Sequence, residues 1–273
     1  IYTLSLHDAL PISVEANNTT TGEVRKTTVD SWNTTYYAPS KITNTSTLGG
    51  KTNKTETTIS YVSKYGKAYF AQPTTIKQTD IYGNITTTTN TYNSNAGYLT
   101  KQRTEYGGAS MYKQTEYQSY KTFGGAYRPQ TILATQKHKD DANAFSVKTT
   151  YTYTDEGKPK KMVENAATVP LTHEYTYDNF GNTLTHKVSG SGITAVTTTF
   201  TYDATHRFVA TEKSSANSVI ASYSYNNLGR LTKKQEGISG SLLTTAYTYD
   251  AIGNITQITY PDNTKTTYTR GWG

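Results

Sequence analysis

Cysteine is absent from the 273 residues. Its absence excludes disulfides, zinc–thiolate centres, iron–sulfur clusters and a cysteine nucleophile. It leaves the compartment open. Long apolar runs are missing as well. No stretch of 18 apolar residues occurs, so nothing in the sequence reads as a membrane span. Hydrophobic residues make up 34% of the chain, which is low for a domain with a compact aliphatic core. There is also no basic run. The net charge is +7 and the isoelectric point about 9.2, but the 27 Lys and Arg residues are scattered. That pattern reads as a solvated, mildly basic surface rather than a nucleic-acid arm.

What the chain does have is tyrosine, 25 of them, and abundant threonine. Both favour strands, because aromatic and β-branched side chains fit a pleated, half-buried surface. Disordered segments are poor in such residues, so the composition predicts an ordered all-β chain.

The opening "IYTLSLHDALPIS" differs from the rest. It is Leu-rich and lacks the basic region and continuous apolar core of a signal peptide. It reads as the in-frame translation of a sequencing adapter, covering Ile1 to Ile12 and the first base of the Ser13 codon. On that reading His7 and Asp8 carry no role, the chain is a fragment, and any export signal lies upstream of it.

Internal repeats come next. Gly157 stands in "YTYTDEGK", Gly181 in "YTYDNFGN", Gly229 in "YSYNNLGR" and Gly253 in "YTYDAIGN". Between Gly181 and Gly229 lies "FTYDATHRF", with His206 in the glycine slot. The steps are 24, 25, 23 and 24 residues, and the leading aromatics Tyr151, Tyr175, Phe200, Tyr223 and Tyr247 keep the same steps. Upstream the pattern loosens. "TDIYGNIT" at 79–86 keeps the turn without the tyrosine pair. "YNSNAGYLT" at 92–100 has one extra residue before Gly97. "YKTFGG" at 120–125 is a further copy and "SKYGKAYF" at 63–70 a weaker one. The expected organisation is an artefactual segment at 1–13, degenerate β-rich repeats at 14–146 and well-formed repeats at 147–273.

One repeat has a plain physical reading. Tyr247 and Tyr249 are two apart, so in a strand they share a face. Asp250-Ala-Ile-Gly253 fits a β-turn, with Asp able to bond its own backbone two residues on and Gly favoured at the fourth position. Asn254 tolerates the end of such a turn. "ITQITY" resumes a strand, and second breaks fall at "PDNT" and, one copy earlier, at "GISGS". Each period is therefore a hairpin. A lone hairpin is marginal in water, so the copies must pair side by side. Rows of tyrosine then cross the sheet, and their hydroxyls suit a face that borders water. Aromatic cross-strand pairs between them would contribute about 0.2–1 kcal/mol each.

At these residues the chain resembles the YD-repeat, or Rhs-repeat, family, whose hallmark is Y-x-Y-D-x-x-G-[NR]-[LI]-T. Tyr247, Tyr249, Asp250, Gly253, Asn254 and Ile255 match it in full. Tyr175, Tyr177, Asp178, Gly181 and Asn182 match, with Thr183 off pattern. Tyr223, Tyr225, Gly229, Arg230 and Leu231 match, with Asn226 in place of Asp. Tyr202, Asp203 and Arg207 match in the copy without Gly, and Tyr151, Tyr153 and Gly157 mark the first copy. The resemblance implies tandem hairpins of about 24 residues in a coiled sheet that forms part of a hollow β-shell. It implies partners too: the remainder of the chain's own shell and an enclosed C-terminal toxin or effector domain. It also implies a bacterial protein that is secreted or on the cell surface. The family's "DPxGL"-like motif and its cleavage aspartates are not found here.

Candidate chemistry is sparse. Asp178, Asp203 and Asp250 could be glycosidase acids, but a working pair must converge on one substrate, and one carboxylate per turn forms a ladder instead. His138, His173, His186 and His206 show no metal-ligand spacing, and His206 reads as an exposed loop residue. Asp140-Asp141 reads as a solvated loop. "SGSG" at 189–192 and "GISGS" at 237–241 precede no helix that could bind phosphate, and read as hairpin ends. The sequons at Asn33, Asn44, Asn84 and Asn254 follow from threonine content. Trp32 with Tyr36 and Tyr37, or the tyrosine rows, could stack on sugars, which makes a carbohydrate-binding adhesin the alternative to a structural role. The expectation is no enzyme activity, no cofactor, no metal and no nucleic-acid partner. A piece cut from a closed shell should also expose strand edges and be poorly soluble or oligomeric.

Overall fold

The computed structural model describes residues 13–62, 71–165, 170–216, 219–238 and 240–269. The adapter-like residues 1–12 and the weak copy at 63–70 lie outside the described residues. The chain divides into two compact units between residues 149 and 150.

The first unit holds β1 (Ser13–Asn18), β2 (Glu23–Asn33), β3 (Ala38–Leu48), β4 (Lys51–Val62), β5 (Gln72–Thr79), β6 (Ile85–Tyr92), β7 (Leu99–Tyr106), β8 (Tyr112–Phe123) and β9 (Ala126–Lys137). Each pairs antiparallel with the next. Strand β10 (Phe145–Tyr153) crosses the division. The second unit holds β11 (Pro159–Asn165), β12 (Leu171–Tyr177), β13 (Thr183–Gly190), β14 (Ile193–Tyr202) and β15 (Val209–Ser214). It continues with β16 (Val219–Tyr225), β17 (Leu231–Ile238), β18 (Ser241–Tyr249), β19 (Ile255–Thr259) and β20 (Lys265–Thr267). These strands too pair antiparallel in chain order. The fold is all-β, tandem hairpins throughout, as the period predicts.

The Tyr-x-Tyr strands alternate as period two requires. Tyr175, Tyr177, Tyr223, Tyr225, Tyr247 and Tyr249 are half-buried, while Thr176, Ser224 and Thr248 between them are exposed. Burial goes no further than that. Among the described residues no apolar side chain is fully buried, and Asn90 is the buried polar one. Asn90 donates to the Pro73 carbonyl at 2.8 Å and accepts from Gln102 at 3.0 Å. Each unit is thus held by its backbone ladder and by side chains that bridge strands, not by an aliphatic core.

Two local expectations need correction. Tyrosines of successive copies do not face one another across paired strands. Tyr175 lies opposite His186, Tyr223 opposite Lys234 and Tyr247 opposite Ile258. The copies recur every second strand, roughly 9.5 Å apart at about 4.8 Å per strand, so a return strand always intervenes. The segment "YKTFGG" does not form the Asp-type turn. Lys121–Phe123 stay paired with Ala126–Arg128, and Gly124 (φ 53°) and Gly125 (φ 85°) make a two-residue hairpin loop, the arrangement that two positive-φ residues favour.

Candidate functional site

The repeated feature is the turn that ends each Tyr-x-Tyr strand. In the last copy the Asp250 carboxylate accepts from the N–H of Gly253 (2.7 Å) and Asn254 (2.8 Å), and from the Asn254 side chain at 2.9 Å. The Asp250 N–H donates to the Asn254 carbonyl and the Gly253 N–H to the Asp250 carbonyl. Asp178 repeats this with Phe180 and Asn182. Asp80 repeats it with Tyr82 and Asn84. In the copy with Asn226, its side-chain oxygen accepts from the Leu228 and Arg230 N–H groups. Thr154 takes the position in the first copy, where its hydroxyl accepts from the Lys158 N–H at 3.2 Å.

Backbone shape explains the glycine. Gly157, Gly181, Gly229 and Gly253 have φ of 81°, 88°, 75° and 103°, a region that residues with a Cβ adopt at a cost. His206 stands in the same slot at φ 56°. It is exposed, as expected, but it is not idle. Its ring stacks on Phe180 of the preceding copy at 4.3 Å, and its Nδ1 lies 3.7 Å from Asp178. That copy has one more residue in its loop, and Asp203 accepts from the N–H groups of both Arg207 and Phe208.

These hydrogen bonds favour the charged carboxyl. The Thr205 hydroxyl, the Phe208, Arg207 and Thr205 N–H groups together hold Asp203 at about 2, against a desolvation that opposes them. The Asn254 side chain lowers Asp250 in the same way. For Asp178, desolvation works against the charge, and the bonds from Asn182, Phe180 and Gly181 outweigh it. Each carboxylate takes these hydrogen bonds from within its own turn. Among the described residues no three of His, Cys, Asp and Glu converge as a metal site would require.

Three contacts were not read from the sequence. The first is a latch made by the second tyrosine of each pair. Tyr177 donates its hydroxyl to the Pro159 carbonyl (2.6 Å), Tyr202 to Thr183 (2.9 Å), Tyr225 to Val209 (3.0 Å) and Tyr249 to Leu231 (2.6 Å). The acceptor is each time the first residue of a strand in the preceding hairpin. Tyr61, Tyr92 and Tyr120 in the first unit donate to the carbonyls of Pro39, Pro73 and Leu99, within the first two residues of β3, β5 and β7. The fixed place of tyrosine, never phenylalanine, at that position of the well-formed copies is the signal that could have found it.

The second is a bulge. Register slips between Thr176 and Tyr177, Thr201 and Tyr202, Ser224 and Tyr225, and Thr248 and Tyr249. The residue left over on the partner strand is Leu184, Ala210, Thr232 or Thr256. Two of the four are the final threonine of the hallmark. The Thr232 hydroxyl donates to the Ser224 carbonyl, and Thr100 and Thr74 do the same at equivalent slips in the first unit. A bulge of this kind sharpens local twist.

The third is a clasp between turns. The Arg230 guanidinium lies over the Tyr249 ring and donates to the Asp250 carbonyl at 3.2 Å. Lys158 lies over Tyr177, Phe208 stacks on Tyr225 at 4.9 Å, and Asn182 donates to the His206 carbonyl at 2.8 Å. In these four copies the residue at or just after the [NR] slot reaches toward the next copy along.

The histidines need a further correction. His173 and His186 are thirteen residues apart in sequence, yet His173 Nδ1 and His186 Nε2 lie 3.0 Å apart. They sit diagonally across β12 and β13, where His173 faces Val188 and Tyr175 faces His186. The register of the hairpin, which no spacing rule anticipates, brings them together. Desolvation, and then the neighbouring His173, lower the His186 pKa. Tyr37 is exposed, Trp32 and Tyr36 are half-buried, and Tyr36 tilts against Tyr61 at 6.4 Å.

Neither a family model nor a curated protein matches the chain. Among solved structures, it is similar to a chain in the crystal structure of TcdB2-TccC3-TEV, with TM-score 0.60 and 14% identity over 86% of this chain and 11% of that one. Chains in the crystal structures of TcdB2-TccC3-Cdc42 and of TcdB2-TccC3 without its hypervariable C-terminal region match with 13% identity and TM-score 0.47, over 92% of this chain and 18% of theirs. The first of these shows a shared fold. The present chain spans about a tenth of the length of that protein.

Proposed function

We propose that this chain is wall: a run of YD-repeat hairpins in a bacterial β-shell that encloses and helps deliver a C-terminal toxin or effector. The observation that carries the reading is the latch. Tyr177, Tyr202, Tyr225 and Tyr249 each tie their copy to the start of a strand in the preceding hairpin. Such a tie has a use only where hairpin follows hairpin in a continuous wall, and nearest-neighbour stabilisation of this kind is how repeat arrays hold together. The fold shared with a TcdB2-TccC3 chain supports the reading. So do the turn carboxylates, whose hydrogen bonds come from their own turns. In this proposal the chain performs no catalytic step, and its partners are the rest of its shell and the enclosed domain. The protein is exported to the cell surface or beyond.

Long-read sequencing of the source locus, followed by cryo-electron microscopy of the product of the full reading frame, tests this. The expected result is further repeats, a closed hollow particle and a terminal domain of different composition inside it. A frame without further repeats, or a particle with no enclosed domain, would overturn it. The adhesin alternative is then examined on a glycan array, where it requires saturable binding that free sugar competes away.

A further inference from the structure

The His173–His186 pair belongs to neither the latch, the turn nor the clasp, and other copies do not repeat it. At the place of His186 in β13, opposite the leading tyrosine of its copy, β17 carries Lys234 and β19 carries Ile258. Wall construction therefore does not call for histidine here.

The pair is hydrogen-bonded, and a modest turn of both rings would open it into a chelate. Both rings sit on the half-buried tyrosine face, edge to edge, with centroids 5.2 Å apart and planes 15° from parallel. Tyr175 stacks on His186 at 4.6 Å and 3°, which covers that ring on one side. At imidazole–metal distances of about 2.0–2.1 Å, two nitrogens 3.0 Å apart subtend roughly 91–97° at a common ion. That angle is closer to the 90° of a tetragonal site than to the 109° of a tetrahedral one. Tetragonal nitrogen coordination points to Cu(II) or Ni(II), and divalent affinity peaks at copper. A third donor stands beside them. Met162 of β11 is the register partner of His173, so its side chain shares that face. A flexible thioether is a soft ligand that suits copper.

We propose that His173 and His186, with the Met162 thioether beside them, bind one copper ion on this face of the second unit. In the unliganded chain one imidazole N–H donates to the other ring's lone pair. The ion sits to the side of the line joining the nitrogens, and both rings turn toward it. Each ring keeps a single proton, on Nε2 of His173 and on Nδ1 of His186, so binding to the neutral pair releases no proton.

The test is titration of the full chain, carrying no affinity tag, with copper(II) sulfate in the presence of glycine as a weak competitor. It is read by calorimetry and by electron paramagnetic resonance. One equivalent should bind, with hyperfine coupling from two imidazole nitrogens. His173→Asn and His186→Asn should each weaken binding by roughly 10–100-fold or more, at least the loss that follows removal of an outer-shell partner. His138→Asn should bind as the parent does. Copper affinity unchanged in both variants would overturn the proposal. So would a parent spectrum showing fewer than two imidazole nitrogens, a readout that stands even if a variant fails to fold.

Discussion

The hydroxyl of Tyr249 donates to the carbonyl of Leu231 at 2.6 Å, across eighteen residues of sequence. Leu231 begins a strand of the preceding hairpin, so this one bond ties a copy to its neighbour and sets where each hairpin meets the next. Tyr249→Phe keeps the ring and removes the tie. We expect a loss of about 1 kcal/mol, the usual net worth of one such bond, seen as a lower urea midpoint with an unchanged slope. Tyr82→Phe, at a residue 84% exposed, should leave the midpoint where it is.

Gly253 has φ 103°, and a Cβ placed there would lie 2.7 Å from the Arg230 guanidinium. Gly253→Ala therefore meets both a disfavoured backbone region and an occupied space. A destabilisation of more than about 1 kcal/mol is expected, again by urea unfolding. Gly124→Ala meets nothing within 4 Å, so its cost should be the backbone share alone.

Arg230 spans two turns through the Tyr249 ring and the Asp250 carbonyl. Arg230→Lys keeps the charge but loses the planar fork that makes both contacts. Arg230→Lys should therefore recover less than half of the stability that Arg230→Ala removes. Equal stability of the parent and Arg230→Lys, measured by thermal unfolding, would show that charge alone matters.

Asp203 is held at about 2 by its turn, below the ordinary Asp value near 3.9. A carboxyl depressed in the folded state contributes stability that is present above its unfolded pKa and is lost as pH falls through the folded one. The window is therefore between about pH 4 and pH 2. Asp203→Asn keeps an acceptor oxygen, as Asn226 does in its own turn, but does not titrate. The gap in melting temperature between parent and variant should be widest above pH 4 and narrow steadily toward pH 2. A gap independent of pH would show that the carboxylate charge contributes nothing.

Much of this was legible because the repeat is local. The turn residues Asp178, Gly181, Asp250 and Gly253 act within five positions of one another, and a period-two strand puts Tyr247 and Tyr249 on one face wherever the strand lies. The odd copy was visible as His206 in a glycine slot, but the extra residue that follows the slot was not. The stack of His206 on Phe180 was not visible, because that contact joins two copies. The mistaken turn at 120–125 has the same origin. Paired glycines close a two-residue hairpin as readily as a longer loop, and only the pairing of Lys121 with Arg128 decides between them.

The sequence by itself determined strand, turn and period, since each rests on backbone preferences within a few residues. Tertiary structure decided register. Register placed the Tyr249 hydroxyl on Leu231, left Thr232 and Thr256 as bulges, put Arg230 over the next turn and brought His173 to His186. A one-residue shift in pairing would move every one of those side chains to the opposite face, and no pattern confined to one strand records which partner it meets.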